Sequence, residues 1–171
     1  MNVGGGFLCD MTKEIQLTRG RITLVDDADF EWLNQWRWCY HDGYAQRHSA
    51  RAGGEGHMIF MHREIIQPLK GMKTDHRDRD KLNNQRSNLR VCSTSENHMN
   101  KGKQKNNTSG YKGVSWHRQD KKWRAYINVN RKQFHLGNFS AAKDAARAYD
   151  EASIRYHGEF GLQNLTEENQ K

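Results

Sequence analysis

A polar run of nine residues, KGKQKNNTS from Lys101 to Ser109, limits what this chain can fold into, because it offers no apolar side chain to bury. A segment of this kind is typical of a linker between two packed parts. The apolar fraction of the whole chain is 35%, which excludes one large core. The sequence therefore predicts two modest modules, over residues 1–100 and 110–166, joined by a basic linker over 101–109.

Positive charge is concentrated in one part of the chain. Residues 101–137 hold ten Lys and Arg against one Asp, a balance of +9, whereas residues 1–100 hold fourteen against thirteen and residues 138–171 hold four against six. Aromatic residues alternate with the cations of the basic part, namely Trp116, Trp123, Tyr126 and Phe134. A basic segment with interleaved aromatic residues is typical of a surface that binds nucleic acid.

Composition also argues against several classes of protein. The sequence has no apolar run long enough to span a membrane and no secretory signal, so we expect a soluble, cytoplasmic protein. The three cysteines, Cys9, Cys39 and Cys92, are odd in number and far apart. They favour neither a disulfide framework nor paired zinc ligands.

Short strand patterns and two helix patterns precede residue 70. The predicted elements are a hairpin (14–17 and 21–25), a helix beginning at Asp26 or Asp27, two strands (44–48 and 58–61) around a glycine-rich loop at 52–56, and a helix (62–67) ended by Pro68. Trp36, Trp38 and Tyr40 are expected in a small core. His62 is interpreted as a structural residue.

The stretch from Asp75 to Lys101 contains acid, base and amide side chains at the spacing of a reaction centre. Asp75 and His76 are adjacent, Asn88 follows on a second predicted strand, and Asn97 lies on a helix predicted to run from Ser93 or Thr94 to about Lys101. Carboxylate and amide oxygens suit a hard divalent cation, and a neutral imidazole can take a proton from water. Since neighbours on a regular strand point to opposite faces, we expect a bulge at Asp75 and His76.

Residues 62–101, with DH, SNLR and ENHMNK, resemble the HNH nuclease module of phage-type homing endonucleases. The resemblance implies a ββα-metal finger with His76 as general base, Asp75 and Asn97 as metal ligands, and Asn88 either orienting the histidine or tying the loop. It implies Mg²⁺ or Mn²⁺ as the metal and no small-molecule cofactor. Asn97, His98 and Asn100 all remain candidates for the third residue of the motif.

From Gly110 the pattern predicts three strands and one helix. Apolar residues alternate with polar ones over 114–117, 123–129 and 133–136, and Ser140 is expected to cap a helix that Gly158 ends. Alanines on one side of that helix let it lie close to the apolar face of the sheet. The predicted fold class is α+β, with an N-terminal ββα-metal module followed by a three-stranded antiparallel sheet packed on one helix.

The segments YKGV, KKWRAYI, HLGNF and AARAYDEAS, with a later Asn164, resemble the plant APETALA2/ethylene-response-factor DNA-binding domain. The resemblance implies that the polar sheet face reads duplex DNA. The expected DNA-binding residues are Lys112, Ser115, His117, Arg118, Lys122, Arg124, Tyr126, Asn128, Arg131, Lys132, Gln133 and His135. Ser115, His117, Asn128, Gln133 and His135 stand where the plant pattern has arginine or tryptophan, so the plant target does not carry over.

The favoured function is a site-directed DNA endonuclease that acts on double-stranded DNA, with a monomer favoured over an oligomer. The alternative is a DNA-binding regulator whose HNH finger is non-catalytic. A third hypothesis, an RNA-directed protein, is ranked lowest because the sequence lacks the aromatic sheet motif that stacks unpaired bases.

Overall fold

A computed structural model describes residues 11–49 and 56–166. It divides into two compact units, Met1–Ser93 and Thr94–Lys171. Cys9 and residues 52–55 of the predicted glycine-rich loop lie outside the described residues. The expected mixture of α and β structure with several small antiparallel sheets is confirmed. In the described parts of the chain, no helix has the length and apolar character that crossing a membrane requires.

The described residues of the first unit form three small antiparallel sheets and two α-helices. In chain order its elements are β1 (Thr12–Gln16), β2 (Ile22–Asp26), α1 (Asp27–Asn34), β3 (Cys39–His41), β4 (Tyr44–His48), β5 (Met58–Phe60), α2 (Met61–Ile66), β6 (Lys73–His76) and β7 (Leu89–Cys92). The hairpin β1–β2 and the sheet β3–β4–β5 agree with the sequence pattern, apart from β3, which the pattern did not predict.

One apolar core links these sheets, and it includes Val25, Leu33, Trp38, Met61 and Leu89, each at most 4% exposed. The expectation of a core position holds for Trp38 and fails for Trp36, which follows α1 and is 44% exposed. The guanidinium carbon of Arg47 lies 4.3 Å from the Trp36 ring centroid. This cation–π contact gives an exposed tryptophan a partner without burial.

The loop between β6 and β7 is fixed to the N-terminal hairpin. Asn84 N donates to Leu24 O and Leu24 N donates to Leu82 O, each at 2.8 Å. The Arg86 guanidinium binds both carboxylate oxygens of buried Asp29 at 2.7 Å. A bidentate pair of this kind holds its loop in one geometry, so this long polar loop has a defined position.

Residues 94–166, the described part of the second unit, form one three-stranded antiparallel sheet and two α-helices. Its elements are α3 (Thr94–Met99), β8 (Val114–His117), β9 (Lys122–Val129), β10 (Lys132–Phe139) and α4 (Ala142–His157), with strand order β10–β9–β8. Ala145, Ala146 and Tyr149 of α4 pack on buried Val114, Ala125 and Ile127 of the sheet, as the alanine pattern predicted.

The start of α4 differs from expectation, and the packing of α4 on the sheet depends on Gly113. The residue before the helix is Ala141, which makes no side-chain cap, so the predicted Ser140 cap is wrong. Gly113 has φ +73°, and a Cβ there would lie 2.2 Å from the Tyr149 ring. A side chain at this position would separate α4 from the sheet.

The linker is ordered against the sheet module. The side-chain amide of Asn107 donates to Tyr111 O at 2.9 Å, and its oxygen accepts from Gly110 N at 2.8 Å. Lys112 Nζ donates to Met99 O at 2.5 Å, which places a cation at the C-terminal carbonyls of α3. The short helix that sequence reasoning assigned to the first module therefore falls in the second compact unit.

We predict that fragment 94–171 is more stable than fragment 106–171. The shorter fragment lacks Met99 and Lys103, and so loses the bonds from Lys112 to Met99 O and from Lys103 to Gly110 O. A decrease of roughly 1 kcal/mol in the free energy of unfolding should lower the Tm by about 4–8 °C for a domain of this size. Thermal unfolding followed by circular dichroism measures this. Equal Tm values would mean that α3 and the early linker do not stabilise the sheet module.

Candidate functional site

Asp75 and Arg90 form a buried ion pair across β6 and β7. The two residues are directly opposite in the strand register and are 7% and 8% exposed. Arg90 places Nε at 2.9 Å and Nη2 at 2.8 Å from Oδ2 of Asp75. The pair compensates two charges that would be costly to bury alone.

A chain of hydrogen bonds sets the orientation of the His76 ring. Thr23 Oγ1 donates to Leu82 O at 2.6 Å, and Asn84 Nδ2 donates to Thr23 Oγ1 at 2.7 Å. The amide oxygen of Asn84 therefore faces His76 Nε2, at 3.1 Å. Since an amide oxygen only accepts, Nε2 carries a hydrogen, and the lone pair of the neutral ring lies on Nδ1.

Burial keeps His76 neutral at ordinary pH. The ring is 5% exposed, and desolvation lowers its pKa below 6.5, although the hydrogen bond to Asn84 offsets part of this effect. A neutral imidazole with a defined lone pair can accept a proton.

His62 belongs to the same cluster, which the sequence interpretation did not foresee. Its ring centroid lies 5.1 Å from that of His76, 5.2 Å from that of Tyr44 and 5.6 Å from that of Phe60. Burial, with a smaller contribution from the charge of His76, lowers the pKa of His62 to about 3. No motif spacing signals this contact, because α2 brings the ring there through the fold.

Asn88 and Asn97 occupy different settings. Asn88 Oδ1 accepts from Asp78 N at 3.0 Å and its Nδ2 donates to Asn83 O at 2.8 Å, so this side chain ties the loop. The residue that hydrogen-bonds the histidine ring is Asn84, which lies four residues before Asn88 in the same loop. Asn97 and its alternative His98 lie on α3 in the second unit, and the third candidate, Asn100, directly follows the end of that helix.

The expected bulge at Asp75 and His76 is wrong. The pairing of β6 with β7 runs from Lys73 to His76 without a register shift. Asp75 therefore shares a face with Arg90, and His76 shares the opposite face with Leu89 of the core. The ion pair and the hydrogen-bond chain each satisfy one side chain on its own face, so neither needs a distorted strand.

The donor set suits a hard cation. Asp75 offers carboxylate oxygens and Asn97 an amide oxygen, which are the ligand types that Mg²⁺ prefers. Arg90 already binds Oδ2 of Asp75, and its positive charge opposes a second cation there. Within residues 11–49 and 56–166 there is no group of three or more His, Cys, Asp and Glu that could hold a metal.

Most of the predicted DNA-binding residues share the polar face of the second sheet. The cross-strand pairs Ser115–Arg124, His117–Lys122, Gln133–Asn128 and His135–Tyr126 lie on this face, which alternates with buried Ala125 and Ile127. A register shift between His135 and Gly137 then brings Asn138 opposite Arg124. The sequence interpretation missed Asn138, although an isolated glycine in a strand is a signal for such a bulge.

The Asp120 carboxylate contacts several side chains at one end of this face. The sequence interpretation missed this residue too. Its Oδ2 lies 2.7 Å from Arg124 Nη2, 3.2 Å from His117 Nδ1 and 3.4 Å from Asn138 Nδ2. The hydrogen bond to Arg124 lowers the pKa of the Asp120 carboxyl, and the same bond raises the pKa of Arg124. The carboxylate therefore orients the guanidinium on the sheet.

The remaining predicted residues lie at the edges of the face. Arg118 and Arg131 lie in the two hairpin turns, and Arg131 has φ +64°. Lys132 pairs with Val129 and so alternates away from the polar face. Besides its bond to Met99 O, Lys112 pairs its backbone N–H with Asn164 Oδ1 at 2.7 Å, which fixes the start of the sheet.

Protein 3.8 of Escherichia phage T7 is 34% identical to this chain over 91 residues, which make up 53% of the chain and 74% of that phage protein. The chain belongs to the same family as this phage protein. Within it, residues 67–99 match the HNH endonuclease family and residues 109–159 match the AP2 domain family. Both resemblances found in the sequence are confirmed, and together they indicate a DNA-binding, nuclease-like protein. HNH nucleases typically use a divalent metal.

This chain is also similar to plant proteins over a shorter stretch. APETALA2-like protein 2 of Oryza sativa subsp. indica is 43% identical over 51 residues, which are 30% of this chain and 12% of that protein. The AP2-like ethylene-responsive transcription factor TOE2 of Arabidopsis thaliana is 41% identical over 51 residues, 30% of this chain and 10% of that protein. The chain thus spans only a small part of these plant relatives.

We predict that stability falls as the pH decreases from about 6.5 towards about 3, because His62 stays neutral in the folded protein and takes up a proton on unfolding. The unfolded state binds more protons in this window, so the free energy of unfolding rises with pH. His62 alone contributes a slope of up to about 1.4 kcal/mol per pH unit.

Urea unfolding of the wild type and of His62→Phe between about pH 7 and pH 4 measures this slope. In the variant, the unfolding free energy should change less steeply with pH, by up to about 1.4 kcal/mol per pH unit, which corresponds to one proton. His41→Phe is the matched control, since it removes a histidine whose side chain is exposed. Equal slopes in the wild type and His62→Phe would contradict the prediction.

Proposed function

We propose that this protein is a site-directed, divalent-metal-dependent DNA endonuclease of the homing-endonuclease type. The observation that carries the proposal is the His76 ring, which is held neutral by burial and oriented through Nε2 by Asn84. A buried polar chain of this kind is costly unless every member is satisfied. Its result is one imidazole with a defined tautomer, which a general base requires.

In the proposed reaction, His76 Nδ1 accepts a proton from a water molecule. The oxygen of that water forms a bond to phosphorus, the bond from phosphorus to the leaving oxygen breaks, and the leaving oxygen takes a proton from solvent. Asn84 stabilises the imidazolium that forms, because its amide oxygen already accepts from Nε2. Asn88 acts indirectly by holding the loop that carries Asn84.

Asp75 and Asn97 would hold Mg²⁺ or Mn²⁺ through their oxygens. A bound divalent cation contributes positive charge at the scissile phosphate. The pair Asp75–Arg90 supports this role in one respect, since Arg90 holds the carboxylate in one position. No other cofactor is part of the proposal.

The C-terminal sheet would select the DNA site. A three-stranded sheet can enter the major groove of duplex DNA with its polar face towards the bases. Arg124 is the strongest candidate for base reading because Asp120 orients its guanidinium, which can bind guanine O6 and N7 together.

One observation favours a second candidate, a DNA-binding regulator with a non-catalytic HNH finger. Oδ2 of Asp75 is engaged by two nitrogens of Arg90, so a cation at Asp75 must share this carboxylate with a positive charge. If Arg90 excludes metal, the finger serves only as structure. The two functions differ in whether DNA is cut.

Incubation of the purified protein with supercoiled plasmid that carries its own flanking DNA tests the proposal, with Mg²⁺, Mn²⁺ or a chelator. Nicked or linear plasmid that forms with metal and not with chelator supports the endonuclease. Specific binding without any cleavage in either metal supports the regulator.

We predict that His76→Ala lowers the cleavage rate by about 10² to 10⁴ while DNA affinity changes by no more than a few-fold, since a general base acts in the reaction step. Single-turnover cleavage and gel-shift titration measure the two quantities. His41→Ala is the control and should cleave at the wild-type rate. Wild-type cleavage by His76→Ala would remove His76 from the mechanism.

We further predict that Arg124→Ala and Lys122→Ala have different effects on specificity. Loss of Arg124 should cost about 1–3 kcal/mol on the preferred site and relax the choice at one base pair. Loss of Lys122 should weaken binding to every duplex alike and reduce the salt dependence by roughly one unit. Selection of sites from random duplexes measures both. Identical site preferences for the two variants would show that Arg124 does not read a base.

A further inference from the structure

The second unit contains a groove of about 780 Å³ beside the polar sheet face. One wall is the half of the face that carries Tyr126, Asn128 and Gln133. The other wall is formed by the end of α3 and by linker residues 101–108 without Lys105. The linker thus lies along the residues proposed to face the bases.

The lining of this groove suits a polyanion. Four cationic side chains line it, Lys101, Lys103, Lys112 and Arg131, and none of the described residues that line it carries a carboxylate. Six further lining side chains are amides, among them Asn106 and Asn130, which can donate to phosphate oxygens. A groove lined by cations and without acids concentrates negative charge.

The linker wall is built before any ligand binds. Ser109 Oγ donates to Val114 O at 2.8 Å, Asn107 bridges Tyr111 O and Gly110 N, and Lys103 Nζ donates to Gly110 O at 3.0 Å. These bonds hold the linker on the start of β8. Because the segment is already ordered, a ligand does not have to supply the free energy of ordering it.

We propose that this groove holds the sugar-phosphate backbone of one DNA strand, so that the linker is part of the DNA interface and not only a connection. The proposal rests on the proposed function, since it assumes that the sheet face binds duplex DNA. Lys101 and Arg131 then contact phosphates from opposite sides of the groove. Their contacts set the register of the duplex on Tyr126, Asn128 and Gln133.

Paired charge-removing variants of the full chain test the proposal. Lys101→Gln with Arg131→Gln removes two groove cations for which the structure describes no structural side-chain bond. Lys105→Gln with Lys121→Gln is the matched control, which removes the same charge from the same linker and from a turn, at positions outside the groove. Both pairs are compared with the wild type by fluorescence titration of duplex DNA over a range of salt concentrations.

The groove pair should lower the slope of log K against log salt by about two units and weaken binding to every duplex by roughly 50- to 100-fold at about 0.1 M salt. The control pair should change the slope by less than about half a unit. Duplexes with single methylphosphonates add a second readout. A methylphosphonate should weaken wild-type binding at several positions of the duplex. At one or two of these positions it should no longer weaken binding of the groove pair. It should weaken binding of the control pair at all of them.

Three outcomes overturn the proposal. Equal slopes for the two pairs would mean that the groove cations act only through net charge. An unchanged methylphosphonate pattern in the groove pair would place the strand elsewhere, while DNA binding by the sheet stands. A wild type that binds no duplex at all would remove the proposed function together with the groove. A wild type that binds but does not cut leaves the groove proposal intact and removes only the nuclease.

Discussion

The arrangement around His76 depends on one buried chain of hydrogen bonds, from Leu82 O through Thr23 and Asn84 to the imidazole. Each link fixes the direction of the next, because the threonine hydroxyl is committed to a carbonyl and so must accept from Asn84. An orphaned member would leave a buried polar group without a partner, at a cost of about 1–3 kcal/mol. The chain therefore sets the tautomer of His76 and the position of the loop together.

The N-terminal hairpin supports this chain of hydrogen bonds. Thr23 is 0% exposed on β2, and the neighbouring backbone of Leu24 bonds to both Leu82 and Asn84. Asp29 of α1 holds Arg86 at the other end of the same loop. The first part of the chain carries no proposed catalytic residue, yet it supports the loop on which the histidine depends.

Charge is managed differently in the two parts of the molecule. In the first unit, Asp75 and Arg90 form an ion pair in a buried setting where an unpaired charge would be costly. In the second unit, the carboxylate of Asp120 organises the cationic end of the sheet face, while none of the described residues that line the groove beside the linker is acidic. An isolated acid among cations orients side chains, and its absence leaves the positive potential available to a ligand.

The sequence by itself determined the local elements, the division of charge and both family resemblances. Alternation acts over a few residues, so the N-terminal hairpin, the C-terminal sheet and α4 could be predicted from it, whereas the exposure of Trp36 and the absence of a cap at Ser140 could not. The glycine within β10 signals a bulge, but only the register of the sheet shows that Asn138 then lies opposite Arg124. Only the tertiary structure brought Asn84 and His62 into contact with His76, because these contacts join segments that share no sequence period. The tertiary structure likewise decided that Asp120 holds Arg124, and that the polar linker packs on the sheet through Asn107 and Ser109. All of these contacts form between side chains that meet only in the folded protein. Local sequence spacing does not encode such long-range packing.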